Sequence, residues 1–365
     1  MINIASPVIE DEERRAVNEV IESGMLAQGP KVAELEKNWA EYCGVKHALA
    51  VNSGTAAIHC ALYAAGVKAG DEVITTPYSF IATINPILML GAHPVLVDID
   101  KETFNIDVSK IEAAITKKTK AIIPVDLYGQ PCDWAELQEI AKKHDLKIIE
   151  DACQAIGAEY KGTKAGALGD FGCFSLYATK NIMCGEGGIV TTNSDEAAAA
   201  IRSFRQHGMV APYEYADLGY NYRMSDLHGS IAVEQLKKVA SFTKKRQENA
   251  RKLDRALMNI QGITIPTISN NRTHVYHQYT ILLGKGIKRD EFIADLREKG
   301  VGAGIYYPKP LHMYPHIAKL GYKVGDFPVA EDLAARVVSL PVHPKVTDED
   351  IEVIAAAIKE SINGQ

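Results

Sequence analysis

The sequence lacks any apolar stretch that approaches the length needed to cross a bilayer. Its first fifteen residues, MINIASPVIEDEERR, have no apolar core flanked by positive charge, which is not typical of a secretory signal. Basic residues are fewer than acidic ones, so the formal net charge is −6, and the two signs are interspersed. We therefore expect a cytoplasmic protein that binds neither nucleic acid nor a membrane.

The chain is also poor in patterns that build disulfide frameworks or metal sites. Its six cysteines are scattered over 365 residues and form no CxxC pair, which favours reduced thiols. The eleven histidines do not cluster with cysteines or carboxylates at the spacing of metal ligands. We expect no metal site.

Short apolar runs alternate with amphipathic stretches, and no internal repeat interrupts them. The runs are rich in Val and Ile, as strands buried on both faces should be. Strands are predicted at 47–51, 72–76, 94–99, 121–125, 147–150, 172–177 and 188–192, with helices between them, for example at 55–66 and 133–145. This alternation predicts an α/β fold with a mostly parallel sheet wrapped by helices.

The pattern changes after about residue 235. A long charged helix is predicted over 236–260, followed by a strand at 276–284 and helices at 288–300 and 348–362. We expect a large α/β domain over residues 1–240 and a smaller α+β domain over 241–365.

Residues able to bind an anion follow the first predicted strand. Gly54 lets the backbone approach a ligand closely, and Thr55 offers a hydroxyl beside the free N–H groups of a helix N-terminus. Ser53 and Thr55 are also favoured helix caps, so this segment taken alone is explained as well by a capped helix.

An acid and a lysine follow two later strands. Asp151 could pair with a protonated ring nitrogen, and Gln154 is near enough in sequence to reach the same ligand, although an Asp here could simply cap a helix. Lys180 lies between Ser175 and a glycine-rich turn. Lysine is normally a surface residue, but beside an anion cup and an acid it suits Schiff-base chemistry with pyridoxal phosphate (PLP). Partial burial would favour the unprotonated amine that this chemistry needs.

These features are weak individually and strong together. PLP needs an anion cup, an acid for the pyridine nitrogen, a lysine for the aldehyde and a flat group against the ring. The chain supplies the cup at 53–55, Phe80 as a stacking candidate, Asp151, the Ser175 hydroxyl and Lys180.

Further motifs accompany these residues along nearly the whole chain. They are Gln28-Gly29-Pro30, Asn52-Ser53-Gly54-Thr55, the segment from Pro77 to Thr83, Asp126-Leu127-Tyr128-Gly129-Gln130, Glu150-Asp151-Ala152-Cys153-Gln154, Phe174-Ser175 to Lys180, Gly185-Glu186-Gly187-Gly188, Arg205-Gln206-His207-Gly208, Asn221-Tyr222-Arg223-Met224 and Pro310-Leu311-His312. With these motifs in this order, the sequence resembles the DegT/DnrJ/EryC1/StrS sugar aminotransferases. The resemblance implies PLP-dependent transferase fold type I, the fold of aspartate aminotransferase.

The resemblance implies roles for the residues around the cofactor ring. Lys180 would bind PLP covalently and later move the substrate proton. Asp151 would keep the pyridine nitrogen protonated, Gln154 would donate to the ring oxygen, and Phe80 would stack on the ring face.

The resemblance also implies how the cofactor phosphate is held. The backbone of Gly54 and Thr55 and the hydroxyl of Ser175 would bind it within one subunit. Asn221 would reach the phosphate in the neighbouring subunit, so the active sites of a homodimer would be shared, and a symmetric dimer is the commonest oligomer.

Substrate contacts are less sharply implied. Met25, Arg223 and His312 fall in segments that line the mouth of the site in similar enzymes. The simpler explanations are core packing for Met25, a surface ion pair for Arg223 and a structural role for His312. Tyr306, Tyr307 and Lys309 could meet phosphate or sugar hydroxyls.

The resemblance implies that an amino acid, usually glutamate, gives its amino group to a keto sugar, usually one linked to a nucleotide. Three alternatives remain open on the sequence. One is a cyclic ketone without a nucleotide, such as a keto-inositol. A second is a PLP-dependent sugar dehydratase, against which Lys180 counts because those relatives carry a histidine there. The third is a non-catalytic regulatory relative.

Overall fold

Helices and strands alternate through the chain, of which the computed structural model describes residues 1–363. Up to residue 204 they are α1 (Asp11–Ser23), α2 (Pro30–Cys43), β1 (His47–Val51), α3 (Gly54–Ala64), β2 (Glu72–Thr75), α4 (Asn85–Met89), β3 (His93–Leu96), β4 (Thr119–Ile122), α5 (Trp134–His144), β5 (Lys147–Asp151), β6 (Glu159–Tyr160), β7 (Thr163–Lys164), β8 (Phe171–Ser175), β9 (Gly188–Thr192) and α6 (Asp195–Phe204). Each strand and helix predicted in this part is present, with ends that agree within three residues.

The remaining elements form the later part of the chain. They are β10 (Met209–Ala211), β11 (Glu214–Tyr215), α7 (Asp226–Lys237), α8 (Val239–Leu257), β12 (Ile263–Thr264), β13 (Tyr279–Leu283), α9 (Arg289–Glu298), α10 (Pro315–Ala318), α11 (Pro328–Arg336), β14 (Val337–Leu340) and α12 (Asp348–Asn363). The predicted strand and the two predicted helices of this part, now β13, α9 and α12, are confirmed.

The main sheet has seven strands in the order β1-β9-β8-β5-β4-β2-β3. Parallel pairing joins β8, β5, β4, β2 and β3, and β9 runs antiparallel to both β8 and β1. The carboxyl ends of β1, β2, β4, β5 and β8 therefore meet at one edge of the sheet. The prediction of a mostly parallel sheet is confirmed.

Both faces of this sheet are covered, as the apolar strands predicted. In β1, Ala48 and Ala50 pack with α2, while Leu49 and Val51 pack with α3 on the opposite face. This alternation follows from the two-residue period of a strand. Both sets of side chains are buried.

Side-chain caps mark where α3 and α2 begin. The Ser53 hydroxyl accepts the N–H of Ala56 and so caps α3. The cap of α2 is remote in sequence, because Asp226 accepts the N–H groups of Gly29 and Val32 at 2.7 and 3.0 Å.

The long helix predicted over 236–260 is present as α8, and both of its ends lie within three residues of the prediction. A second helix, α7, precedes α8, and the two meet at Lys238 (φ −96°, ψ −5°). The sequence continues through this turn without Gly or Pro, so no local signal marks the break.

The later part of the chain has its own apolar cluster. The three-stranded antiparallel sheet β12-β13-β14 packs with α8, α9 and α12 around buried residues such as Tyr279 and Phe292. The N-terminal segment also reaches this part, since Ile2 pairs with Val301. The division into domains 1–240 and 241–365 stays a prediction. The last two residues of the second predicted domain lie outside the described part of the chain.

Within residues 1–363, no helix is both long and apolar enough to cross a membrane, and no group of His, Cys, Asp and Glu is arranged to hold a metal ion. All six cysteines are free thiols, and five of them are buried.

Candidate active site

A cavity of about 470 Å³ opens at the carboxyl edge of the main sheet. Ligands of open α/β sheets bind at this edge. Seven residues predicted for the site line the cavity together, and they are Gly54, Thr55, Phe80, Asp151, Gln154, Ser175 and Lys180.

The N-terminus of α3 forms one wall of the cavity. Because Ser53 caps only the N–H of Ala56, the N–H groups of Gly54 and Thr55 are left for a ligand, and the helix dipole favours an anion there. A Cβ atom at Gly54 would lie 2.9 Å from Ser175 Cβ and 3.0 Å from Cys153 Sγ. Glycine is therefore required for the helix to approach Ser175 this closely.

Asp151 is held by donors within the cavity. It is 4% exposed, and its Oδ2 atom accepts the hydroxyl of Thr83 at 2.8 Å. The Thr83 hydroxyl lies 2.8 Å from that of Ser79, and the N–H of Cys153 donates to Asp151 Oδ1 at 3.2 Å. These contacts fix a carboxylate at the end of β5, where it can receive a hydrogen bond from a ring nitrogen.

The amide of Gln154 is oriented by two partners. Its Oε1 atom accepts the N–H of Tyr128 at 2.9 Å, and its Nε2 atom donates to the hydroxyl of Tyr307 at 3.1 Å. The backbone donor settles which end of the amide is the oxygen. The half-exposed ring of Phe80 lies 6.1 Å from that of Tyr307, at the side of the cavity.

Lys180 projects into this cavity in a protein environment that disfavours its charge. Desolvation lowers the pKa of the Lys180 amine from 10.5, and the nearby Cys153 and Asp151 only partly oppose this shift. The pKa of Cys153 is raised well above 9 by burial, so its thiol stays neutral. The amine is thus biased toward the unprotonated form that attacks an aldehyde.

His277, which the sequence did not suggest, also lines the cavity. Its Nδ1 atom lies 3.3 Å from Asn181 Oδ1, and Asn181 donates its amide N–H to the carbonyl of Val275 at 3.1 Å. Burial, together with the charges of Lys180 and Arg246, lowers the pKa of His277 well below 6.5. The imidazole is therefore neutral beside Lys180.

Three predicted residues lie outside the cavity of their own chain. Asn221 is exposed, and its carbonyl accepts the side-chain amide of Asn52 at 3.2 Å. Met25 is exposed in the turn between α1 and α2. Arg223 is partly exposed, and its backbone pairs with Val51 at the end of β1.

His312 also lies away from the cavity and is 1% exposed. Its Nε2 atom lies 3.0 Å from Glu331 Oε1, and its ring packs against Phe327 at 4.8 Å. Glu331 in turn accepts the N–H of Gly325. This arrangement favours a structural role for His312 over the predicted substrate contact.

The family model for the DegT/DnrJ/EryC1/StrS aminotransferase family matches residues 7–359. The chain belongs to this family. Its membership makes the protein an enzyme, a PLP-dependent aminotransferase that acts on sugars.

Two relatives of this sugar aminotransferase cover nearly its whole length. GDP-perosamine synthase from Caulobacter vibrioides is 40% identical over 98% of this chain and 98% of its own. A pleiotropic regulatory protein from Geobacillus stearothermophilus is 43% identical over 96% of this chain and 95% of its own.

Solved structures of aminotransferases match the whole fold. DesV of S. venezuelae, in complex with a ketimine intermediate, is 34% identical with a TM-score of 0.93, covering 96% of this chain and 94% of its own. The PMP form of Spr1654, a sugar aminotransferase from Streptococcus pneumoniae described as putative, is 29% identical with a TM-score of 0.94, covering 100% of this chain and 98% of its own.

Several cavity residues of this sugar aminotransferase were missed or only loosely indicated by the sequence. Thr83 and Glu186 lie inside motifs that carry the family resemblance, so their position beside Phe80 and Gly185 could have indicated them. Tyr306 and Tyr307 line the cavity, while Lys309 instead lies over the ring of Tyr314 at 4.3 Å. For His277 no sequence signal was available.

A larger open groove, of about 1010 Å³, lies elsewhere, beside the amino end of β5. Its charged side chains partly neutralise one another, as in the 3.0 Å pair between Lys147 and Asp170. It contains none of the predicted site residues. The smaller cavity is therefore the candidate active site.

Proposed function

We propose that the protein binds PLP through Lys180 and transfers an amino group from an amino acid, expected to be glutamate, to a nucleotide-linked keto sugar. The main support for this proposal is that Lys180, with its lowered pKa, and the fixed carboxylate of Asp151 line the same cavity. A cytoplasmic location is part of the same proposal.

The residues present fit the cofactor. The phosphate would lie against the N-terminus of α3 and the hydroxyl of Ser175, in the cradle that a side chain at position 54 would fill. Phe80 would cover the ring face and Gln154 would donate to the ring oxygen. When bound, PLP supplies a conjugated cationic ring that stabilises negative charge on the substrate carbon.

The protein's own groups then control protons. Asp151, held by Thr83, would keep the ring nitrogen protonated because an ionised carboxylate stabilises the cation beside it. Lys180, once released from the cofactor, would take the proton from the substrate carbon and return it nearby, since its neutral amine is favoured by burial.

Covalent attachment can be tested by borohydride reduction followed by peptide mapping. We expect the label on Lys180 and its loss in Lys180→Ala. Lys164→Ala is a matched control, because Lys164 is a partly exposed lysine 4.0 Å from Glu159 and away from the cavity. A label on any other side chain would contradict the proposal.

The substrate can be tested with a panel of keto sugars, with and without a nucleotide, by measuring 2-oxoglutarate released from glutamate. Turnover confined to nucleotide-linked sugars supports the proposal. Turnover of a keto-inositol instead would support the cyclic-ketone alternative, and deoxygenation without amino transfer would support the dehydratase alternative. An absence of cofactor uptake would support the regulatory alternative.

We also propose a homodimer in which Asn221 completes the neighbouring site. Among the described residues, Lys180 is the one Lys or Arg that lines the cavity, so anionic substrates need further cations from outside it. The segment that precedes Asn221 exposes apolar side chains, with Tyr213 86% and Leu218 71% exposed. Exposed apolar patches of this kind mark protein interfaces. Sedimentation of the holoprotein as a monomer would refute the dimer.

A further inference from the structure

Two carboxyl groups are buried together directly behind the candidate active site. Asp126 follows β4, Glu150 lies in β5, and both are 0% exposed. Successive residues of a strand point to opposite faces, so Glu150 faces away from the cavity while its neighbour Asp151 faces into it. The proposed chemistry uses neither Asp126 nor Glu150.

Backbone N–H groups satisfy three of the four carboxyl oxygens. Asp126 Oδ1 accepts the N–H of Cys132 at 2.9 Å. Glu150 accepts the N–H of Gly166 at 2.7 Å and that of Leu168 at 3.3 Å. The fourth oxygen, Asp126 Oδ2, is enclosed and has no hydrogen-bond partner in the described chain, although the indole N–H of Trp134, which also lacks a partner, interacts with Asp126.

Because Val125 pairs with Asp151 in parallel register, Asp126 and Glu150 lie on the same face of the two neighbouring strand ends, and their carboxyl groups interact. A carboxyl group can donate only when it is protonated, so a proton on Glu150 would satisfy the enclosed oxygen of Asp126. The polar groups that interact with the pair include three thiols and one indole, Cys43, Cys132, Cys173 and Trp134.

None of these neighbours supplies a positive charge. Burial raises the pKa of all three thiols, so they stay neutral, and neither carboxyl group forms an ion pair within residues 1–363. Two ionised carboxylates would repel each other at this depth, which favours retention of one proton. In agreement, burial raises the pKa of Asp126 to about 6, and burial and Asp126 raise that of Glu150 well above 4.5.

We propose that Asp126 and Glu150 share one proton, and that this pair positions Asp151. The backbone connects them directly, because the N–H of Asp126 donates to the carbonyl of Asp151 at 3.1 Å and the N–H of Asp151 donates to that of Pro124 at 2.9 Å. The pair also anchors the loops at Cys132 and Gly166 to these strand ends. The positioning role rests on the function proposed for Asp151, whereas the shared proton does not.

The shared proton can be tested by thermal unfolding at several pH values. A carboxyl group with a raised folded pKa stabilises the protein below its unfolded pKa, and that stabilisation is lost as the pH rises through the folded pKa. Asp126→Asn replaces the shared proton with an amide N–H. Glu150→Gln does the same but leaves the N–H of Gly166 or Leu168 without an acceptor, which adds a cost that does not depend on pH. Relative to the unmodified protein, the Tm of each variant should therefore rise by roughly 3 °C between pH 5 and pH 8.

The matched control is Asp98→Asn, another buried carboxylate, whose oxygens accept the N–H groups of Val329 and Ala330. Its Tm offset gives the cost of replacing a buried carboxyl group by an amide where backbone N–H groups bind both oxygens. A pH-independent offset in Asp126→Asn and Glu150→Gln would overturn the shared proton. The Tm comparison does not depend on catalysis. Failure of the shared proton can therefore be distinguished from failure of the proposed function.

The positioning role can be tested by comparing Asp126→Ala with Asp126→Asn in the holoenzyme. The alanine variant leaves the Cys132 N–H and Glu150 without their partner, so kcat should fall about tenfold with little change in KM for the amino donor. Asparagine restores both contacts and should recover most of that loss. Equal activity of the alanine variant and the unmodified protein, or equal impairment of both variants, would overturn the positioning role.

Discussion

The Thr83 hydroxyl provides a sharp test of how the protein fixes Asp151. It is buried and donates to Asp151 Oδ2 over 2.8 Å. Thr83→Val keeps the shape of the side chain and removes this donor. A hydrogen bond to a charged group contributes about 1.5–3 kcal/mol, which corresponds to a roughly ten- to hundredfold loss if it is fully expressed in the transition state.

The assay is kcat/KM for the glutamate half-reaction, followed by the change in cofactor absorbance. Thr75→Val is the matched control, because Thr75 is equally buried and its hydroxyl donates to the carbonyl of Ile123 at 2.8 Å, outside the cavity. We expect the control to lose stability but to keep its kcat/KM. If Thr83→Val reacts as fast as the unmodified protein, Thr83 does not support Asp151 in the reaction.

Three further predictions concern the cofactor cradle and its lysine. Because burial lowers the pKa of Lys180, Lys180→Met should raise the Tm of the cofactor-free protein at pH 7. This gain in Tm should shrink as the pH approaches 10.5, and a gain that is constant with pH would contradict a desolvated amine. Gly54→Ala places a Cβ 2.9 Å from Ser175 Cβ and should weaken PLP binding at least about tenfold in a fluorescence titration, given the usual cost of overpacking. Mixing inactive Lys180→Ala and Asn221→Ala subunits should restore part of the activity, since a hybrid dimer has one intact shared site; no recovery after confirmed subunit exchange would place Asn221 in its own chain's site.

Much of the fold could be predicted from local sequence patterns. The apolar strands of the main sheet are short, and Gly or polar residues separate them from amphipathic helices, so their type and order followed from periodicity. The break between α7 and α8 at Lys238 could not be predicted, because no Gly or Pro marks it in the sequence. Its direction depends on how α7 and α8 pack.

The sequence by itself determined the chemistry available at this site: a lysine, an acid and a helix N-terminus, each placed at the end of a strand or within five residues of it. Their meeting in one cavity follows because parallel strands bring their carboxyl ends to one edge. Only the tertiary structure decided which distant residues join them. His277 lies beside Lys180, whereas His312 is buried against Glu331, because contacts between residues far apart in sequence depend on how the two parts of the chain pack rather than on any local pattern.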